Sequence, residues 1–342
     1  MTSRERILKT IRKEKVDRIP VSPWGLGRLD PNSDMARELI TKTDILMEAS
    51  PGVDPFWGEY INQLEEVGEG LYRLQTPRGF FQWRIGKTEI TQAMREFPFK
   101  SPDDAERFLS LPYKKPKPTG EHFYKMREWI GEEGLVLVGI PNGVCLPASF
   151  FSPEDFCLNW ALHPSLIIKL TEVGTERVIA MVEDLCREGV DAFRIIGGEY
   201  VTQQLGPKGV EALLKPYDIS LVEAIHRYGA VAYYHNHGKV RSFLSDLRDL
   251  GIDALDPLEA PPWGDVDLKE AQETIGKEVC LVGNLDDMEI LNKMDEKMVK
   301  KIALERIKDL KPVGFILAGT ASGIFGEKAA RNFIALAEMM VN

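Results

Sequence analysis

The run Val231-Ala-Tyr-Tyr-His235-Asn236-His237-Gly238 places two imidazoles two residues apart at the end of a strand-like segment. Residues two apart on a strand share a face, so both rings point the same way while Asn236 points the other. Two converging imidazoles make a metal pair; the plainer alternative is two histidines hydrogen-bonded to neighbouring polar groups. Gly238 allows a tight exit into the next segment. Glu199, at the end of Arg194-Ile-Ile-Gly-Gly-Glu199-Tyr200, follows the preceding strand and brings a carboxylate towards the same point. His235, His237 and Glu199 together suit zinc or another borderline divalent ion and leave a coordination position for substrate. The alternative for Glu199 is a cap on the next segment.

Other strand ends carry further candidates. Asp256-Pro-Leu-Glu259-Ala-Pro-Pro-Trp263-Gly-Asp265 holds three prolines, which stiffen the loop and hold Glu259 and Trp263 in place. Glu259 is therefore a candidate catalytic residue and Trp263 a pocket wall, while Asp265 reads as the cap of a helix beginning near Asp267. In Gly283-Asn284-Leu-Asp286, Asn284 offers both donor and acceptor to a ligand, and Asp286 or Asp287 is most simply an N-cap. Trp24, Arg28, Trp57 and Trp83 form either an aromatic roof or ordinary packing. Tyr200, Tyr233 and Thr320 join Trp24, Trp57 and Trp263 as substrate-binding candidates. Met288, Met294 and Met298 are spaced for helix packing, and the mixed charges of 293–308 read as a solvated face.

The elements that must position these residues alternate. After residue 130, short apolar runs at Leu135–Ile140, Val190–Ile196, Ala230–Tyr234, Ile252–Leu255, Glu278–Val282 and Phe315–Leu317 are separated by amphipathic segments at 164–188, 207–228, 239–250, 267–276, 287–309 and 327–341. Strands alternating with helices imply parallel strands with right-handed crossovers. No G-x-G-x-x-G follows a strand and no Walker A loop occurs. Polar residues instead collect after several different strands, which is how a (β/α)8 TIM barrel builds its C-terminal face. The expected fold is thus α/β, a (β/α)8 barrel spanning 1–342 as one domain, with an irregular elaboration over 24–118 covering the barrel mouth. Thr2 and Glu5 read as the capping box of a first helix, and Leu71-Tyr-Arg-Leu74 and Phe80-Phe-Gln-Trp83 as a hairpin.

Composition sets outer limits. The chain has 342 residues, 43 Lys+Arg against 53 Asp+Glu, and a net charge of −10, so nucleic-acid or anionic-membrane binding would need a basic patch that the sequence lacks. The four cysteines, Cys145, Cys157, Cys186 and Cys280, show no C-x-x-C and fit a reducing compartment. With a charged N-terminus and no bilayer-length apolar run, a cytoplasmic location is expected. An oligomer is compatible with everything above.

Five segments resemble one family. The opening Glu5-Arg-Ile-Leu through Asp17-Arg-Ile-Pro-Val, the His-Asn-His-Gly segment, Leu-Gly-Ile-Asp-Ala-Leu at 250–255, Val-Gly-Asn-Leu-Asp at 282–286 and Phe-Ile-Leu-Ala-Gly-Thr at 315–320 resemble the uroporphyrinogen decarboxylase superfamily, in order and nearly end to end. The resemblance implies a (β/α)8 barrel and one of two activities. One branch decarboxylates uroporphyrinogen without a cofactor; the other uses zinc to transfer methyl groups to or from corrinoid proteins. The methyltransferase branch carries His-x-Cys-Gly where this chain has His235-Asn236-His237-Gly238, and a second Cys where it has Gly319-Thr320. His235 thus matches a ligand, His237 puts an imidazole for a thiolate, and Thr320 puts a weak ligand for a strong one. The decarboxylase branch carries an arginine-rich stretch ending in Gly-Arg, of which only Gly27-Arg28 remains, and a terminal His that is Thr320 here. A substrate with eight carboxylates needs cations around it. The expectation is therefore a metal-dependent methyltransferase with His235, His237 and Glu199 as ligands, acting on a small O- or N-methylated substrate and a corrinoid carried by a partner protein. The alternatives are a decarboxylase of uroporphyrinogen or of a smaller acid, in which Arg28 orients a carboxylate, and a non-catalytic protein that binds a small ligand or a corrinoid partner.

Overall fold

The computed structural model describes residues 1–88, 92–320 and 323–341. Among them, twelve strands form two sheets. They are β1 (Val21–Ser22), β2 (Ile45–Ala49), β3 (Leu64–Gly68), β4 (Leu71–Thr76), β5 (Gly79–Lys87), β6 (Gln92–Glu96), β7 (Gly134–Pro141), β8 (Ala192–Ile196), β9 (Val231–His235), β10 (Ala254–Asp256), β11 (Cys280–Asn284) and β12 (Phe315–Ala318). Eight of them run parallel in the order β1-β12-β11-β10-β9-β8-β7-β2, and a parallel bridge between Trp24 and Leu46 joins the ends. This is the expected (β/α)8 barrel. β3 to β6 form a separate antiparallel sheet that contains the expected hairpin, with Leu74 opposite Phe81.

The barrel strands are buried on both faces, hence their near-continuous apolar runs. One face of alternate residues, including Leu46, Leu137, Ala192, Tyr233, Ala254, Val282 and Ile316, fills the interior. The first helix, Ser3–Ile11, has the expected capping box on Thr2 and sends Ile7 and Ile11 into that interior cluster. The outer faces pack on helices such as Pro164–Arg187 and Glu327–Val341. No helix of the described residues is long and apolar enough to cross a membrane.

Four expectations about elements are corrected. The stretch 24–118 is not uniformly irregular, because it contains the helix Asp34–Lys42 and the barrel strand β2. The segment 287–309 is broken into a π-turn at Asp287–Leu291 and a helix at Glu296–Ile307. Asp267, not Asp265, caps the helix Leu268–Ile275, and Asp265 instead accepts from the Arg241 N–H at 3.0 Å. Asp286 is the N-cap expected before Met288, whereas Met288 and Met298 face solvent rather than pack.

Two buried carboxylates behind the barrel wall have measurable consequences. Asp44, fully buried, accepts from Arg6 Nη1 and Arg18 Nη1 at 2.5 Å each and from the Val21 N–H at 2.9 Å, tying the first helix to β1 and the start of β2. Removing a buried carboxylate strands its cations, so Asp44→Ala is expected to cost about 3–5 kcal/mol in denaturant unfolding. Asp218, on the helix Lys215–His226, is fully buried against Tyr234 Oη (2.5 Å) and Asn142 Nδ2 (2.9 Å), and its Oδ1 has no partner. Burial raises its pKa from 3.8 to about 7, against the two hydrogen bonds that pull it down. Between about pH 4 and 7 the unfolded chain therefore loses this proton while the folded chain keeps it, so stability falls as pH rises through that window. Asp218→Asn is expected to flatten this decline and to match or exceed the wild type at pH 7, read as unfolding free energy against pH.

Candidate functional site

The C-terminal ends of the barrel strands carry the polar groups. β9 has Val231, Tyr233 and His235 on its inner face, and register sets His235 beside Asp256 and Arg194 beside Tyr233. These strand ends therefore converge on one point inside the mouth.

His235 is 5 % exposed, and its Nδ1 lies 2.9 Å from Asp256 Oδ1 and 2.7 Å from Arg194 Nη2. Arg194 reaches past β7, donating from Nη1 to Glu48 Oε2 on β2 at 2.8 Å. Its guanidinium lies over the ring of Trp24 at 4.1 Å, and Trp24 stacks on Tyr233. A cation over an aromatic face is stabilised further when desolvated. Burial alone would raise the Asp256 pKa, but His235 and Arg194 outweigh it and hold the carboxyl below its usual range. The same two carboxylates, Asp256 and Glu48, raise the Arg194 pKa against its desolvation.

His237 lies just beyond the strand, with its ring 4.3 Å from that of His235 and nearly perpendicular to it. The structure thus brings the two expected imidazoles together. Glu259 serves His237: its Oε1 is 3.4 Å from His237 Nδ1, and its Oε2 accepts from the Gly238 N–H at 2.7 Å. Burial would lower the His237 pKa, and the Glu259 contact together with the charges of Asp256 and Glu199 more than reverses this. Glu199 begins the short helix Glu199–Thr202, and its Oε2 accepts from the Gly197 N–H at 3.2 Å. Its charge also bears on His237. Gly197 and Gly198 make this approach possible. A Cβ at Gly198 would stand 2.3 Å from Asn236 Oδ1, and Gly197, at φ +118°, would place one 2.4 Å from Cys145 Sγ.

The remaining candidates separate into two groups. Glu259, Trp263, Asn284 and Thr320 line one cavity of about 110 Å3 beside the histidines, together with Arg306 and Pro262. Within it, Asn284 Oδ1 accepts from Arg306 Nη1 at 2.7 Å, while Thr320 exchanges hydrogen bonds with Asp287. Trp57 does not belong to this group. It is buried among Phe81, Trp83, Phe108 and Phe150 in the core under the antiparallel sheet, so Trp57 and Trp83 pack and do not roof the barrel. Tyr200 is half-buried against the outer core, and burial raises its pKa. Arg28 is exposed; its backbone N–H bonds Phe325 O at 2.9 Å, and Gly27 lies too close to Phe325 for any Cβ.

Arg194, Asp256, Glu48 and Arg306 were not singled out by the sequence, although a charge inside the apolar run Ala192-Phe-Arg-Ile-Ile196 was the available signal. A parallel strand buried on both faces tolerates an arginine only where partners wait for it. Arg194→Met is expected to leave Glu48 and Asp256 without their shared cation and to cost about 3–5 kcal/mol in denaturant unfolding, and Arg194→Lys, which lacks the planar fork, to recover only part of this.

Comparison with known proteins agrees with this architecture. A methyltransferase from Methanosarcina mazei superposes with a TM-score of 0.70 at 16% identity, covering 100% of each chain, which at that identity is a likeness of fold. A B12-independent methionine synthase from Shewanella sp. W3-18-1 gives a TM-score of 0.47 at 13% identity, over 83% of this chain and 78% of that one. No curated protein sequence matches. The family model described as uroporphyrinogen decarboxylase (URO-D) matches residues 152–341, the stretch that carries β8 to β12 and every strand-end residue from Arg194 to Thr320. The chain therefore belongs to the uroporphyrinogen decarboxylase family.

Proposed function

We propose that this protein is a metal-dependent methyltransferase that moves a methyl group between a small O- or N-methylated substrate and a corrinoid carried by a partner protein. The observation that carries the reading is the pairing of each imidazole with its own carboxylate. Asp256 stands at Nδ1 of His235 and Glu259 at Nδ1 of His237, on rings 4.3 Å apart. A carboxylate that accepts from one ring nitrogen leaves Nε2 as the ligating atom, the usual arrangement behind metal-bound histidines; for His235 this is the state in which Asp256, and not Arg194, is the partner of Nδ1. Family membership and the fold shared with a methyltransferase are consistent with it.

The donor set fits an ion in part. Among the described residues no group of three His, Cys, Asp or Glu side chains stands ready to hold a metal. His235 and His237 would be two ligands, and Glu199, whose charge bears on His237, would be the third after giving up the Gly197 N–H. An ion held by nitrogen and oxygen ligands is suited to drawing electron density from the oxygen or nitrogen that loses its methyl group. The protein's own share is to fix the rings through Asp256 and Glu259, to wall the adjoining cavity with Trp263 and Pro262, and to leave the barrel mouth facing the partner.

The decarboxylase alternative is less well supported. Arg28, the cation it relied on, is exposed, and the cavity beside the histidines offers a substrate with eight carboxylates a single guanidinium, that of Arg306. Metal analysis decides the matter. Protein produced with zinc available is expected to hold about one equivalent, and His237→Ala to lose at least about tenfold in metal affinity, since even loss of a residue behind a ligand costs 10–100-fold. Wild-type protein without stoichiometric metal, or measurable formation of coproporphyrinogen from uroporphyrinogen, would overturn the proposal.

A further inference from the structure

The cavity beside the histidines contains a cation that the mechanism above does not use. Arg306, on the helix Glu296–Ile307, reaches beneath the end of β11 and donates to the backbone oxygen and Oδ1 of Asn284. Desolvation lowers its pKa against the opposing charge of Asp286, and among the described residues no carboxylate lies within ion-pair distance of it. The acidic groups around it are already committed. Asp286 accepts from the N–H groups of Met288 and Glu289 at 2.8 and 2.5 Å, Glu289 pairs with Lys293 at 2.7 Å, and Glu259 holds Gly238 and His237. Arg306 engages Asn284 through Nη1, so among the described residues it is the cation on this wall with N–H groups left to donate, while the carboxylates are turned to other donors.

Apolar side chains share the lining. They are Pro261, Pro262, Trp263 and Ile290, and Trp263 is 62% exposed. The volume of about 110 Å3 is several times the roughly 10–15 Å3 that a single water requires. A planar guanidinium with unused N–H groups takes a carboxylate in a forked pair, and does so more strongly where water is scarce. Glu259 forms part of the wall and touches His237, so a ligand filling the cavity lies one carboxylate away from the histidine pair.

The geometry points to a substrate-binding subsite for a small monocarboxylic acid, with Arg306 holding the carboxylate and Trp263 with Pro262 packing a methylated or apolar body. Taken with the proposed function, on which this assignment of substrate rests, the methyl donor is a methoxy- or N-methyl-substituted carboxylic acid. Arg306 acts here as a specificity-determining residue and not as a group that moves protons.

Binding can be tested apart from methyl transfer, by calorimetric titration of the full chain stripped of metal with chelator. Methoxyacetate and trimethylglycine are the acidic probes, with methoxyacetamide and choline as counterparts lacking the carboxylate. The acids are expected to bind at least about tenfold more tightly than their counterparts. Arg306→Met should abolish that preference, Arg306→Lys should keep part of it, and Trp263→Ala, an exposed change that leaves the core intact, should weaken all four probes. Because the Arg306 side chain also holds Asn284, the wild-type series alone decides the question if Arg306→Met folds poorly. Equal binding of acids and counterparts, no binding of either acid, or an unchanged preference in Arg306→Met would overturn the subsite. Acid binding without stoichiometric metal would remove the methyltransferase reading and leave the subsite standing; metal and methyl transfer without acid preference would do the reverse.

Discussion

The mouth of the barrel depends on compensating a buried guanidinium. Arg194 enters an interior otherwise filled by aliphatic and aromatic side chains, and its side chain is only 9% exposed. An unpaired charge there would cost more than the fold can supply, so Glu48, His235 and Asp256 must all be within reach at once. That requirement fixes the register of β8, β9 and β10 and, through Glu48, draws β2 into the same line. Trp24 covers the cation and also forms the bridge to Leu46 that joins β1 to β2, so closure of the barrel and burial of the charge are parts of one arrangement.

The line also contains a competition. Nδ1 of His235 is within hydrogen-bond distance of a group that only donates, Arg194 Nη2, and of one that only accepts, Asp256 Oδ1. A ring nitrogen either carries a proton or offers a lone pair, so it satisfies one of them at a time. With the proton on Nδ1, Asp256 is the partner and Nε2 is left as a lone pair; with the proton on Nε2, Arg194 is the partner. The polar line is thus complete in either state of the ring, because the displaced group retains another partner nearby, Glu48 for Arg194 and the guanidinium charge for Asp256.

Much of this could be read from the sequence, and the parts that could not share a physical cause. The strands from Gly134 onwards stood out because parallel strands covered on both faces are continuous apolar runs, and the polar residues at their ends marked the face where chemistry sits. β2 was hidden because Glu48 interrupts its short apolar run, although that glutamate is there to meet Arg194. Arg306 was counted with the solvated charges of its helix for a related reason. Helical spacing places it among lysines and glutamates, and only the tertiary packing against Asn284 turns it inwards. Trp57 erred in the opposite direction: an aromatic among prolines and glycines looked like a pocket wall, but it is a core residue of the second sheet. In each case the local pattern records the neighbours in sequence, and the role is set by a partner more than a hundred residues away or on another layer.

In the proposed metal site, an imidazole at position 237 in place of a thiolate would have consequences that extend to the loop after β10. A thiolate brings a negative charge to an ion and needs no further group to orient it, whereas a neutral imidazole must have its tautomer fixed from outside. Glu259 fills that role, and it can do so only if its loop is held rigidly against Gly238. The prolines at 257, 261 and 262 restrict the backbone on both sides of it, and the Gly238 N–H binds the second carboxylate oxygen. The negative charge that a cysteine would carry at this position stands instead beyond the imidazole ring, on a carboxylate that is half-buried and already paired. In the proposed site the two imidazoles stand in front of Asp256 and Glu259, and Glu199 is the one candidate ligand that would bring a negative charge to the ion.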